Sequence, residues 1–182
     1  MKSFIHSKVI AAVRNGEEFE NAVKSKSEII FHLGPDISTV SYLAEMAHSN
    51  GKKLFIHIDL ATGIGKDKSG IMYAKNAGVD GIISTRVNMI KTARECGLFT
   101  VQRFFIVDSH SVNTTVESVL ASKADMIEIM PGIVIKAIKT LRKLVDVPVI
   151  AGGLVDTDDE IKSIISNGAA AVSTSNQTLW NL

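Results

Sequence analysis

Asn76-Ala77-Gly78-Val79-Asp80-Gly81-Ile82-Ile83-Ser84-Thr85 runs from a helix stop, through a short apolar strand, to a pair of hydroxyls. Asn167-Gly168-Ala169-Ala170-Ala171-Val172-Ser173-Thr174 repeats that plan near the other end of the chain. Glycine just past a last helical turn accepts the left-handed backbone that ends a helix. A run that is apolar at successive positions marks a strand buried on both faces, as in a parallel sheet covered by helices. Taken as strands four and eight, the two stretches stand half a barrel apart, as a duplicated half-barrel requires.

Working outward, the same reading gives strands at Val9–Val13, Glu28–Leu33, Lys53–Leu60, Val79–Ser84, Leu98–Val107, Met126–Met130, Val147–Ala151 and Ala170–Thr174. Helical patterns fill Glu17–Val23, a stretch capped by Ser38 and running through His48, Ile71–Ala77 and Val87–Cys96, and Asp108-Ser109 offers a cap for the next. Asn50-Gly51, Ala77-Gly78, Cys96-Gly97 and Asn167-Gly168 supply the stops. Eight such units take about 23 residues each, which predicts a compact (β/α)8 barrel with short loops, leaner than the usual ~250 residues. The expected domain is single, 1–182. A doubly wound open sheet is the competing architecture.

Composition narrows the function classes. Lys+Arg is 20 and Asp+Glu 19, a net charge of +1, so bulk charge encodes no strong pull toward nucleic acid or anionic membrane. The single cysteine, Cys96, excludes an intrachain disulfide and a multi-cysteine metal site, fits a reducing cytoplasm, and reads as structural at a helix end. No apolar run approaches the ~18 residues that span a bilayer, and Met1 to Lys8 lacks a signal-peptide core. The expectation is a cytoplasmic protein with no membrane contact. Aromatic residues are 5%, so platforms for stacking bases are scarce. Phe104-Phe105 read as core, and Trp180 as closing the barrel bottom or meeting a homo-oligomeric partner.

The strongest chemical signal lies at the last two strand ends: strand seven ends in Gly152-Gly153, and strand eight in Ser173-Thr174-Ser175. In barrels these loops often hold a phosphate. Glycine lets the backbone approach an anion, hydroxyls and amides donate, and a short helix after Ser175 would aim its positive end at the site. A tight turn and a helix cap are the plain alternative.

Polar residues also gather near other predicted strand ends: His32, His57, Asp59, Ser84, Arg86, Gln102, Arg103, Asp108 and Glu128. His57 and Asp59, two apart, would share one side of strand three. Glu128 lies in the apolar run Met126–Met130, where a carboxylate must be paired or solvated, and Arg86 and Arg103 are its candidate partners. The set suits acid–base work or binding of a polyol. His32 alone reads as a core histidine. A metal on His57, Asp59 and Glu128 is a weak reading, and none is expected. Thr62 to Gly70 contains glycines without a dinucleotide fingerprint and reads as a lid or a solvated connection, with Lys66 and Lys68 near the mouth. Lys136, Lys139, Arg142 and Lys143 form one basic helical face, most simply a solvated one.

Six of these stretches together resemble the glycerol-3-phosphate-responsive antiterminators, the glycerol uptake operon regulators of bacteria. They are His57-Ile58-Asp59-Leu60, Gly81 to Arg86, Gln102 to Phe105 with Asp108-Ser109, Glu128 to Gly132, Ile150 to Leu154 and Ala171 to Ser175. The resemblance runs from Val9 to Trp180. It implies a barrel that binds glycerol 3-phosphate, with no cofactor, and acts on the messenger leader of glycerol genes to prevent early termination. On that reading Gly153, Ser173 and Ser175 hold the phosphate, Asp59, Arg103 and Glu128 bracket the glycerol end, and the Thr62–Gly70 loop orders on binding. The alternative is an enzyme on a small phosphorylated triose or sugar, with Asp59 or Glu128 as acid–base.

Overall fold

A computed structural model describes residues 7–182; the leader reading concerns residues 1–8, of which 1–6 lie outside the described part. Eight parallel strands close into a barrel in chain order, and β8 returns to pair with β1. The strands are β1 (Val9–Val13), β2 (Ile29–His32), β3 (Lys53–His57), β4 (Gly81–Ser84), β5 (Phe99–Phe105), β6 (Met126–Met130), β7 (Val149–Gly152) and β8 (Ala171–Thr174). The helices are α1 (Gly16–Lys24), α2 (Val40–Ser49), α3 (Lys68–Asn76), α4 (Val87–Glu95), α5 (Ser109–Ser122), α6 (Ile135–Leu144) and α7 (Asp158–Ser166).

Two apolar layers hold this together. Ile10, Phe31, Phe55, Ile83, Val101, Met126 and Ile150 point inward and fill the barrel. The alternate positions, among them Val9, Ile30, Leu54, Ile82, Ile127 and Val172, face the helices. That two-sided burial is why the strands read as continuous apolar runs. Gly81 faces the ring of Phe55, which a Cβ there would meet at 2.2 Å, so the barrel centre is packed side chain against backbone. Truncating Phe55 to alanine would cost about 3–5 kcal/mol.

The expected helix stops hold: Gly51, Gly78, Gly97 and Gly168 all take positive φ. Several expectations need correction. β3 ends at His57, and Ile58–Leu60 form a 3-10 turn, so Asp59 is not a strand residue. Ser38 does not cap α2; its hydroxyl donates to Asp36, and Thr39 holds the N-cap position. Residues 62–70 are not a free lid. Asp67 caps α3 from within them, Ile64 is buried, Thr62 bridges to Asp36, and the Lys66 ammonium donates to the carbonyls of Ala61 and Ile64. Phe105 is 59% exposed, because it lies at the strand's far end, beyond the packed layers.

The eighth unit has no α-helix. Gln177–Leu179 form a 3-10 turn, and the Trp180 side chain is buried in the outer layer with its indole N–H donating to the Thr174 carbonyl at 2.8 Å. Trp180 therefore packs beside β8 rather than under the barrel or at a subunit contact. No helix among the described residues is long and apolar enough to cross a membrane.

Candidate functional site at the barrel mouth

Register brings the ionic centre together. β5 and β6 align Arg103 with Glu128, and both side chains turn inward. The Arg103 Nε–H donates to Glu128 Oε2 at 2.6 Å, and the Ser173 hydroxyl donates to Oε1 at 2.5 Å. All three residues are buried. A carboxylate in this position is tolerable only because both oxygens are engaged. Gly152 makes the room: a Cβ there would stand 2.6 Å from Glu128 Oε1 and 2.4 Å from Ser173 Oγ. His57 reaches the same end of the barrel. Burial, helped by the Arg103 charge and opposed by Asp59 and Glu128, lowers its pKa to about 4. Its imidazole is neutral at pH 7, and its buried Nδ1 has no hydrogen-bond partner among the described residues.

Around this centre, two corners are related by half a barrel. Phe55 pairs with Gly81 as Ile150 pairs with Ala171, which sets Asp59 against Leu154, Ser84 against Thr174 and Thr85 against Ser175. The turns match in detail: the Arg86 N–H donates to Ser84 Oγ at 3.0 Å, and the Asn176 N–H donates to Thr174 Oγ1 at 3.0 Å. In the first corner the Asp59 carboxylate accepts from the Ser84 hydroxyl at 2.8 Å and the Thr85 N–H at 2.8 Å, with the Arg86 guanidinium 3.7 Å away. In the second corner the Thr174 hydroxyl turns instead to the Val155 carbonyl. The Ser175 N–H there has no acceptor among the described residues, and neither have the N–H groups of Gly153 and Leu154.

Gly153 and Leu154 both take positive φ, 75° and 58°, the second rare for a side chain of this size. They border a cavity of about 70 Å3 lined also by Arg14, Arg103, Ser173 and Ser175. The site thus combines main-chain donors, two guanidinium side chains in its wall and a paired carboxylate: donors for an anion at one end, and polar partners for hydroxyls at the other.

A family profile described as glycerol-3-phosphate responsive antiterminator matches residues 9–180. The chain belongs to that family. A solved glycerol uptake operon antiterminator regulatory protein from Listeria monocytogenes is 32% identical, with a TM-score of 0.91, covering 98% of this chain and 97% of that one. A glycerol uptake operon antiterminator-related protein from Thermotoga maritima is 31% identical, with a TM-score of 0.85, over 96% of this chain and 98% of that one. The uncharacterized protein YgcP of Escherichia coli K12 is 37% identical over 96% of this chain and 92% of its own length.

Within this antiterminator barrel the expected site residues divide. Gly153, Ser173, Thr174, Ser175, Arg103 and Glu128 all border the cavity, Gly152 and His57 lie beside the Arg103–Glu128 centre, and Asp59, Ser84 and Arg86 form the separate corner after β3 and β4, half a barrel away. The hydroxyls of Ser173 and Thr174 are committed to Glu128 and Val155, so the donors that remain are main-chain amides, the Ser175 hydroxyl and the guanidinium groups of Arg14 and Arg103. No helix dipole follows Ser175, because the turn there is three residues long and Asn176 already caps it. Arg86 lies beside Asp59 and not Glu128.

Gln102 and His32 face the outer layer, since their strand neighbours point inward. His32 packs 6.1 Å from the Phe19 ring, and burial lowers its pKa to about 4, as suits a core histidine. Both amide atoms of Gln102 are buried without a partner among the described residues. Asp108 caps α5, accepting from the Ser111 N–H. Lys68 opens α3 in solvent. Among the described residues no group of His, Cys, Asp or Glu is arranged to hold a metal ion. Sequence reasoning missed Arg14, although it directly follows β1 and the strand-end rule would have found it.

Proposed function

We propose that this antiterminator-family chain senses glycerol 3-phosphate at the barrel mouth and, when liganded, acts in the cytoplasm on the messenger leader of glycerol genes to prevent early termination. The phosphate lies against the N–H groups of Gly153, Leu154 and Ser175, near Arg14. The glycerol end meets Arg103, Glu128 and His57. No cofactor takes part. The observation that carries this reading is the contrast between the corners. Where the chain supplies a carboxylate, Asp59, the Thr85 amide binds it; the equivalent Ser175 amide has no such partner among the described residues. Ligand shifts the RNA-competent state only by its differential affinity for the two states.

A thermal-shift panel of phosphorylated three-carbon compounds tests the sensor. Glycerol 3-phosphate near 100 times its Kd should add ~2.7 kcal/mol of stability. Gly153→Val should abolish that gain while leaving a folded chain, since φ at this position is 75° and a Cβ would press on the Met130 methyl at 2.8 Å. Full ligand stabilisation in that variant places the phosphate elsewhere. Filter binding of a glycerol-gene leader, with and without ligand, tests the RNA step. The enzyme alternative gains nothing from the strands: the only lysine on one among the described residues, Lys53, opens β3 at the end away from the mouth and pairs with Asp80 at 3.0 Å.

A further inference from the structure

A second hollow lies outside the ring of strands, away from the Arg103–Glu128 centre. It is a groove of about 460 Å3 between α5 and α6, opening at the end of the barrel where β5 and β6 finish. Val107, Val112 and Val134 give it apolar walls, and Asn113, Thr140 and Lys136 give it polar ones. Val107 is 83% exposed, a bare apolar side chain at the rim. Asp108 also borders the groove, but its carboxylate is engaged by the first turn of α5, whose Ser111 N–H holds its pKa below the usual carboxylate range.

The outer face of α6 is cationic. Lys136, Lys139, Arg142 and Lys143 are exposed on a 10-residue helix with no acidic residue. At 100° per residue they fall within one third of the helix circumference and along about 10 Å of its axis. None of the four is ion-paired among the described residues. The contrast with the next helix is sharp: α7 opens with Asp158, Asp159 and Glu160, and its Lys162 is paired with the first two. In a chain of net charge +1, an unpaired row of four cations is a local concentration of field.

We infer that the α5–α6 groove and the cationic face of α6 form the docking surface for single-stranded RNA, with the backbone phosphates along α6 and a base inserted between the valines. A row of cations beside a slot with both apolar and hydrogen-bonding walls fits a strand whose bases are splayed from the backbone. This inference rests on the RNA-acting reading above and gives it a location and a route. β5 carries Arg103 inward and, three residues on, Ile106 into the groove wall; β6 carries Glu128 inward and then leads to Val134 in the opposite wall. The Ile106 N–H donates to the Met130 carbonyl at 2.8 Å, tying the two exits together. A ligand that repositions the Arg103–Glu128 pair therefore repositions both walls.

The test is filter binding of a glycerol-gene leader transcript across a salt series, with glycerol 3-phosphate present. It compares the unaltered chain with the variant K136Q/K139Q/R142Q/K143Q and with Asn113→Phe, which fills the groove. The fourfold variant should lose at least about tenfold in affinity, and its log–log salt slope should flatten by about 2–3, at ~0.7 for each phosphate no longer neutralised. Asn113→Phe should weaken binding with the slope unchanged. Both variants should keep the thermal shift with glycerol 3-phosphate, which shows that the fold and the mouth are intact. If the unaltered chain binds the leader and the fourfold variant binds it equally well with the same slope, this surface is wrong while the RNA reading stands. If the unaltered chain binds no leader under any condition, both fall. If the variants change self-association and not RNA binding, the groove is a protein interface and the inference is overturned.

Discussion

The corner after β3 and β4 and the corner after β7 and β8 share one backbone plan and are finished in opposite ways. At the first, the chain supplies its own anion: Asp59 gathers the Ser84 hydroxyl and the Thr85 amide and faces Arg86. At the second, Leu154 stands in the place of Asp59, and the Ser175 amide has no partner among the described residues. His57 at the first corner becomes Gly152 at the second, and the space released admits the Glu128 carboxyl group. The difference teaches that one βα turn plan can be finished with a carboxylate of the chain, Asp59, or left with its amide open. On the function proposed above, the open one takes an external anion in place of Asp59.

The largest effect expected from breaking this arrangement comes from Glu128→Ala. It strands the Arg103 guanidinium without a counter-charge at a site only 7% exposed, and should cost about 3–5 kcal/mol in urea unfolding. A loss under 1 kcal/mol would mean that Arg103 finds water readily and that the centre is not closed.

Next comes pH. The folded pKa of His57, about 4, lies below its ordinary 6.5, so the unfolded chain binds the extra proton. The stability from keeping the imidazole neutral is fully present above pH 6.5 and is lost as pH falls toward 4, roughly 3 kcal/mol over that window. His32 behaves alike, so the His57→Gln chain should keep part of the slope and lose about one proton's worth. Identical pH profiles for the two chains would refute the assignment.

Asp59→Ala should cost about 1–3 kcal/mol by leaving the Ser84 and Thr85 donors without an acceptor. If the two corners are equivalent, added inorganic phosphate should recover part of that loss in the variant and not through its effect on the parent chain. The smallest effect is at the other corner. Leu154→Gly relieves a left-handed backbone that a 66%-exposed side chain does nothing to repay, and should raise stability by about 1 kcal/mol. A decrease there would show that the leucine is held by packing present only in the folded state.

Much of this was legible in the sequence, and the limits have physical causes. The strands and the helix stops are local: apolar runs and glycines announce them without reference to the rest of the chain. The position of the corner was legible because Gly152-Gly153 and Ser173-Thr174-Ser175 straddle strand ends in both the sequence and the structure. Glu128 was legible as a buried carboxylate in need of a partner, and Arg103 as one of two candidates. What settled the choice was lateral register between β5 and β6, which no local pattern carries. The same holds for hydroxyl commitments. That Ser173 turns to Glu128 and Thr174 to Val155 depends on neighbours 45 and 19 positions away. Alternation misled at Asp59, because β3 gives way to a turn after His57.

Closure of the barrel joins Val9 to Val172. Partners so distant in sequence meet late in folding, because the intervening chain must be gathered first. The Ser175 amide sits beside that seam. On the function proposed above, a polypeptide whose β8 has not yet docked on β1 cannot hold the phosphate, so responsiveness would arrive only with barrel closure.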